Sequence, residues 1–155
     1  MVENKEVTWF PSYGGEMRGG TANCTVVISD ELIASPIVKN PDILIIMNDQ
    51  SLRKFQPWLR QKGILFFDSS LMKNSDLRSD IDVIGVPATD ISSIIGNTKA
   101  ANMVLLGALI AKTRLIKEQS TFEAIEDSLN HRKDVIAMNK KAVREGMHFF
   151  EDKKG

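Results

Sequence analysis

Three short runs, DILIIMN, GILFFDSS and DVIGVPA, constrain the fold more than any other feature of the chain. Each is almost continuously apolar rather than alternating, which is the pattern of a strand covered on both faces. Such strands need helices on either side of the sheet, and the intervening segments supply them. SLRKFQPWLRQ reads as a helix interrupted or restarted at Pro57 and stopped by Gly63. Pro87 ends the third run; ATDISSIIG then reads as a short helix. NTKAANMVLLGALIAKTRL reads as a long one, apolar nearly all round and therefore central. Ser120 and Glu123 have capping-box spacing and place a further helix start near Thr121. A last helix runs from about Val135 towards His148. Strands alternating with helices give an α/β fold, a three-layer α/β/α sandwich with a mostly parallel, mixed sheet.

Ahead of this pattern, EVTWF and TANCTVVIS read as two strands around a glycine-rich loop. Alternation in the second strand puts Cys24, Val26 and Ile28 on one face and Asn23, Thr25 and Val27 on the other. The apolar surroundings of Cys24 predict a core position. With 155 residues the chain suits one domain over 1–150, followed by a frayed tail over 151–155.

Composition excludes several function classes. Lys plus Arg total 20 and Asp plus Glu total 20, so the balanced charge argues against a nucleic-acid or membrane-surface footprint. Cys24 is the single cysteine, which rules out an internal disulfide and a cysteine-ligated zinc or iron–sulfur centre on this chain. The start, MVENKEV, lacks the apolar core of a signal peptide. The most apolar run, Ala100 to Ala111, falls short of the roughly 20 residues of a membrane span. These features predict a cytoplasmic protein.

No triad, metal-ligand spacing or acid pair stands out, so no residue is assigned a catalytic or metal-binding role. His131 and His148 lie far apart and have no partner at a recognisable spacing. The glycine loop is neither a P-loop nor a dinucleotide fingerprint, because no Gly-Lys-Ser/Thr follows and a strand stands where a helix should. Its glycines allow close backbone approach, its N–H groups can form an anion nest, and Arg18 offers a planar fork for phosphate or carboxylate. The alternative is a tight connection in which Glu16 and Arg18 pair with each other or with solvent. Gly96-Asn97-Thr98-Lys99 opens the long helix. Asn97 or Thr98 can cap it, and a lysine in a first turn suits a bound anion or an acidic partner, or is simply solvated. Asn102 lies one turn on. Asn48-Asp49 and Asp68-Ser69-Ser70 follow strands, where ligands gather in α/β sheets. Asp49 is the expected cap of the next helix, with Asn48 left open. Gly107, Ala108 and Ala111 permit close helix packing, inside the domain or against another subunit.

VTWFPSYGGEMRGGTANCTVVISD closely resembles the gamma subunit of 2-oxoacid:ferredoxin oxidoreductases, the counterpart of domain III of single-chain pyruvate:ferredoxin oxidoreductase. SPIVKNPDILIIMND, VPATDISSIIGNTKAANMVLLGAL and STFEAIEDSL extend the resemblance over nearly the whole chain. The Tyr-Gly-x-Glu-Met-Arg-Gly-Gly-Thr-Ala-Asn-Cys motif looks most like the 2-oxoglutarate-type branch, as against the pyruvate and indolepyruvate branches, with a pyruvate- or branched-chain-specific homologue as the alternative. The resemblance implies coenzyme A-dependent oxidative decarboxylation of a 2-oxoacid with reduction of ferredoxin. It implies partner alpha, beta and ferredoxin-like subunits, which carry thiamine diphosphate, magnesium and 4Fe-4S clusters. It implies coenzyme A contact or a subunit interface for Tyr13, Gly14, Gly15, Glu16, Arg18, Gly19, Gly20, Thr21 and Asn23, and matches Gly96, Asn97, Thr98 and Asn102 to a second family motif. Asn48 and Lys99 complete the candidate binding residues.

Members of that family open with a strand, a Gly-x-Gly-Gly-Gln-Gly turn and a helix before the segment matching KEVTWFPSYGGEMRGG. Here Met1 stands seven residues before Thr8. The resemblance therefore implies a missing βα unit of roughly 30 residues and an exposed sheet edge.

Overall fold

In the computed structural model, residues 3–12, 21–72, 76–129 and 132–152 are described. Strands β3 (Ile43–Ile46), β4 (Ile64–Asp68) and β5 (Asp82–Val86) form a parallel sheet in the order β3-β4-β5. Ile43 stands opposite Ile64, and Ile64 opposite Asp82. Side chains of β4 alternate between two cores. Leu65 and Phe67 pack with Ile46 and with Leu52 and Phe55 of helix α1 (Asp49–Phe55). Phe66 packs on the opposite face, with Val104, Leu105 and Ala108 of α3 (Ala101–Thr113) and Val143 of α5 (Lys133–Asp152). Two-sided burial accounts for the continuously apolar sequence of β4, whereas Ile45 of the edge strand β3 is 43% exposed, contrary to the expectation that its run is covered on both faces. Helices α2 (Ala88–Ile95) and α4 (Glu118–Ser128) complete the helical part.

Strands β1 (Glu6–Ser12) and β2 (Asn23–Ser29) pair antiparallel in full register, Glu6 opposite Ser29 and Ser12 opposite Asn23. Among the described residues they form a separate two-stranded sheet. Cys24 is exposed, contrary to the core position predicted for it. Its strand face is apolar, as alternation required, but among the described residues Cys24 and Val26 on that face stay exposed.

Helices α3 and α5 cross at two glycines. A Cβ built on Gly107 would lie 2.0 Å from the Val143 carbonyl oxygen, and one on Gly146 would lie 2.0 Å from the Val104 carbonyl oxygen. The two backbones meet directly, and only a Cα–H can occupy each position. Gly107 and Ala108 of α3 thus serve packing inside the chain, whereas Ala111 is only part-buried.

The starts of α1, α4 and α5 differ from the sequence expectations. Asn48, not Asp49, caps α1: its Oδ1 accepts from the Ser51 N–H at 2.8 Å. Helix α4 begins at Glu118, ahead of the Ser120–Glu123 spacing, with Lys117 at its cap and no side-chain bond from that residue. Glu3 supplies the cap from a distance, accepting from the Lys117 N–H at 2.8 Å. Helix α5 begins at Lys133 and continues through Glu151 and Asp152, two residues into the expected tail.

The Glu3 carboxyl is held below the ordinary glutamate value of 4.5, first by a hydrogen bond from the Ser120 hydroxyl and then by the Lys117 N–H. A depressed carboxylate contributes stability above its ordinary value and loses it as pH falls through its lowered one. Glu3→Gln is therefore expected to destabilise the chain at neutral pH. The gap from wild type should narrow as pH falls below 4.5 and through the lowered Glu3 value, as read by thermal melts across the acid range.

Candidate functional site

The best-defined candidate segment joins α2 to α3. Helix α2 ends in a Schellman motif: the Asn97 N–H bonds the Ser92 carbonyl and the Gly96 N–H bonds the Ser93 carbonyl, both at 2.9 Å. Gly96 sits at φ +93°, in the left-handed region, which explains glycine at this position. Asn97 then caps a 3-10 turn over Thr98–Ala100, its Oδ1 accepting from the Lys99 N–H at 3.1 Å. This turn leads straight into α3, so the long helix opens later and more tightly than the sequence predicted. Buried Ser92 ties the segment down, donating to the Thr89 carbonyl at 3.0 Å and the Thr98 carbonyl at 3.4 Å. The result is a fixed backbone that presents Thr98, Lys99 and Asn102 to solvent.

The Asp68 region also proves structural. Asp68 is fully buried at the carboxyl end of β4. Its oxygens accept from the Ser70 N–H at 3.0 Å, from the Thr89 N–H at 3.2 Å and from the Thr89 hydroxyl at 2.6 Å. Ser70 Oγ in turn accepts from the Asp90 N–H at 3.1 Å. Helix α2 has Pro87 at its cap position, which offers no capping side chain. Asp68 fills that role from a neighbouring strand, and its negative charge suits the helix start. It caps the next helix along the chain, across the intervening strand β5.

Tyr13, Gly14, Gly15, Glu16, Arg18, Gly19 and Gly20 lie outside the described residues, as does His131. The exit of the glycine loop is placed: Lys54 Nζ of α1 donates to Thr21 Oγ1 at 2.9 Å, and Asn23 pairs with Ser12 at the start of β2. Asn48 spends its carbonyl oxygen on the α1 cap. Among the described residues, no hydrogen bond or ion pair joins the Gly96–Asn102 segment to Thr21, Asn23 or Asn48. Nor does any group of three or more His, Cys, Asp and Glu side chains in these residues stand ready to hold a metal ion. None of the described helices is long and apolar enough to cross a membrane.

A feature missed in the sequence is Arg78. Its guanidinium forks onto Asp80 at 2.8 and 2.6 Å and bonds the carbonyls of Gln56 and Leu59 at 2.9 and 2.7 Å. It closes the 3-10 turn after α1. The hydrogen bond and charge of each partner raise the Arg78 pKa and lower that of Asp80. The Arg-x-Asp spacing was its only sequence signal.

The model of the family described as pyruvate ferredoxin/flavodoxin oxidoreductase matches residues 1–149. The ketoisovalerate oxidoreductase subunit VorA of Methanothermobacter thermautotrophicus is 37% identical over 145 residues, which cover 93% of this chain and 30% of that protein. The 2-oxoglutarate synthase subunit KorC of Methanocaldococcus jannaschii is 34% identical, covering 90% of this chain and 78% of that protein. The crystal structure of the gamma subunit of a keto/oxoacid ferredoxin oxidoreductase from Geobacter sulfurreducens superposes with a TM-score of 0.83 at 23% identity. That superposition covers 97% of this chain and 83% of the other, and it is a likeness of fold. The chain thus spans under a third of the length of the VorA relative and most of the KorC relative.

Proposed function

The chain belongs to the pyruvate ferredoxin/flavodoxin oxidoreductase family, and from that membership we propose that it is the gamma component of a 2-oxoacid:ferredoxin oxidoreductase. The observation that carries the proposal is the family match over residues 1–149, which includes both glycine-bearing motifs. In this reading the assembled complex is cytoplasmic and converts a 2-oxoacid and coenzyme A to an acyl-CoA and carbon dioxide, passing electrons to ferredoxin. Thiamine diphosphate with magnesium and 4Fe-4S clusters supply the decarboxylation and electron storage when bound to the alpha, beta and ferredoxin-like subunits. The single cysteine of this chain cannot ligate such a cluster.

The chain's own contribution is to receive the phosphate-bearing part of coenzyme A. Arg18 offers a bidentate fork, and Lys99 stands exposed on a backbone locked by Gly96, Asn97 and Ser92. A rigid cation holder costs little ordering on binding. Arg18→Ala in the assembled complex should raise the apparent KM for coenzyme A by about tenfold or more, the scale of one charge-assisted bond. Lys99→Ala should raise it less. An unchanged KM with a weaker complex would make the loop an interface element instead.

The proposed 2-oxoacid is 2-oxoglutarate, on the Tyr13–Cys24 motif and the KorC likeness. The VorA likeness favours a second reading, a branched-chain 2-oxoacid. Rates with 2-oxoglutarate and ketoisovalerate on the same preparation separate the two.

A further inference from the structure

The β1–β2 hairpin stands apart from the rest of the fold. None of its strand residues, Glu6–Ser12 and Asn23–Ser29, is buried, whereas four of the five residues of β4 are. Exposed apolar side chains lie on both of its faces, Trp9 at 60% and Val26 at 52% on one and Phe10 at 48% on the other. Among the described residues, no side chain of the two strands belongs to either hydrophobic core. Seven cross-strand pairs hold the ribbon together, and the Lys5–Asp30 ion pair closes its base. Asn4, just ahead of that base, turns the chain with φ +51°. On the other side, residues 31–39 form a connector without helix or strand. The hydrogen bonds described in it are local, from the Glu31 N–H to Ser29 Oγ at 3.0 Å and from the Ile37 N–H to Ser35 Oγ at 3.2 Å. Its Leu32 and Ile37 stand in solvent. The body of the fold resumes at Asn40, whose Nδ2 donates to the Trp58 carbonyl at 3.2 Å, and at Pro41, whose carbonyl accepts from the Arg60 N–H at 3.2 Å.

We infer that the hairpin is a separately opening arm of the fold, latched at its base by Glu3. The Glu3 carboxylate accepts from the Lys117 N–H at 2.8 Å and from the Ser120 hydroxyl. It thereby fastens the chain just ahead of β1 to the start of α4, so the side chain that caps this helix also anchors the arm. At the other end Lys54 Nζ reaches Thr21 Oγ1 at 2.9 Å. A flexible lysine stem follows a moving partner more easily than the backbone N–H of a helix start does. A two-stranded ribbon alone is marginally stable at best in water, so its order depends on what it is fastened to. Where few buried contacts join two parts of a fold, the weaker part opens without the other. Opening the arm breaks charge-assisted hydrogen bonds and uncovers neither core, whereas opening the parallel sheet uncovers both. The latch needs no partner subunit and stands whether or not the proposed function does.

The test is native-state hydrogen exchange of the full chain at rising urea, read amide by amide, with Glu3→Ala and Glu3→Gln as variants. The cross-strand amides of β1 and β2 are expected to be protected at least about tenfold less than those of β4 and α3. Their exchange should depend little on urea, the mark of an opening that exposes little surface. Glu3→Ala should speed hairpin exchange by about tenfold, the scale of one hydrogen bond to a charged group. Glu3→Gln, which keeps one oxygen, should speed it less. If Glu3 only capped α4, its bonds would survive opening of the hairpin, and both variants would leave hairpin exchange at low urea as in wild type. That result would overturn the latch. Hairpin amides that exchange only together with β4 and α3, with the same steep urea dependence, would overturn the separate arm.

Discussion

Gly107→Ala is expected to destabilise the chain by about 3 kcal/mol, the upper end of the cost of overpacking a core. The added methyl would arrive 2.0 Å from the Val143 carbonyl oxygen, inside any tolerable contact. That oxygen is backbone in the middle of α5, so no rotamer change relieves the clash. The helices must separate, and separation unloads Val104, Ala108, Ala142 and Val143, all fully buried at this crossing. Gly146→Ala meets the Val104 carbonyl at the same distance and should cost a similar amount. Because one separation relieves both clashes, the double variant should cost clearly less than the sum. Urea denaturation reads all three, and strict additivity would mean that the two contacts do not share a movement.

Asp68→Ala should cost a comparable amount, about 3 kcal/mol, by a different mechanism. A buried carboxylate that accepts from two backbone N–H groups and a hydroxyl leaves all three donors unpaired when it is removed. The loss also removes a buried acidic side chain from the start of α2, leaving Asp90 of its first turn. Asp68→Asn should recover part of the deficit, since one oxygen survives but the amide nitrogen faces donors. A urea midpoint for Asp68→Asn equal to wild type would contradict this account of the cap.

The core was legible in the sequence because burial on both faces leaves nearly unbroken apolar strands, as Leu65-Phe66-Phe67 shows. The α2–α3 junction was legible for a related reason. Glycine at a left-handed position and asparagine at a cap are direct backbone requirements. What escaped the reading depended on partners distant in sequence. Asp68 caps a helix that begins twenty positions later, and Glu3 caps α4 from the other end of the chain. No local spacing announces either bond, so the Ser120–Glu123 pattern pointed to the wrong start. Cys24 was placed in the core because alternation shows that a face is apolar without showing what covers it. Of the candidate site, the Gly96–Asn102 segment acquired a defined geometry, while the Arg18 loop is known by its sequence alone.

The central claim is that this chain is a working component of a 2-oxoacid oxidoreductase. The most direct measurement is the coenzyme A-dependent, 2-oxoacid-driven reduction of ferredoxin by the complex assembled with and without this chain. The account predicts that omission abolishes acyl-CoA formation and that adding the chain back restores it. Full activity in its absence would contradict the claim.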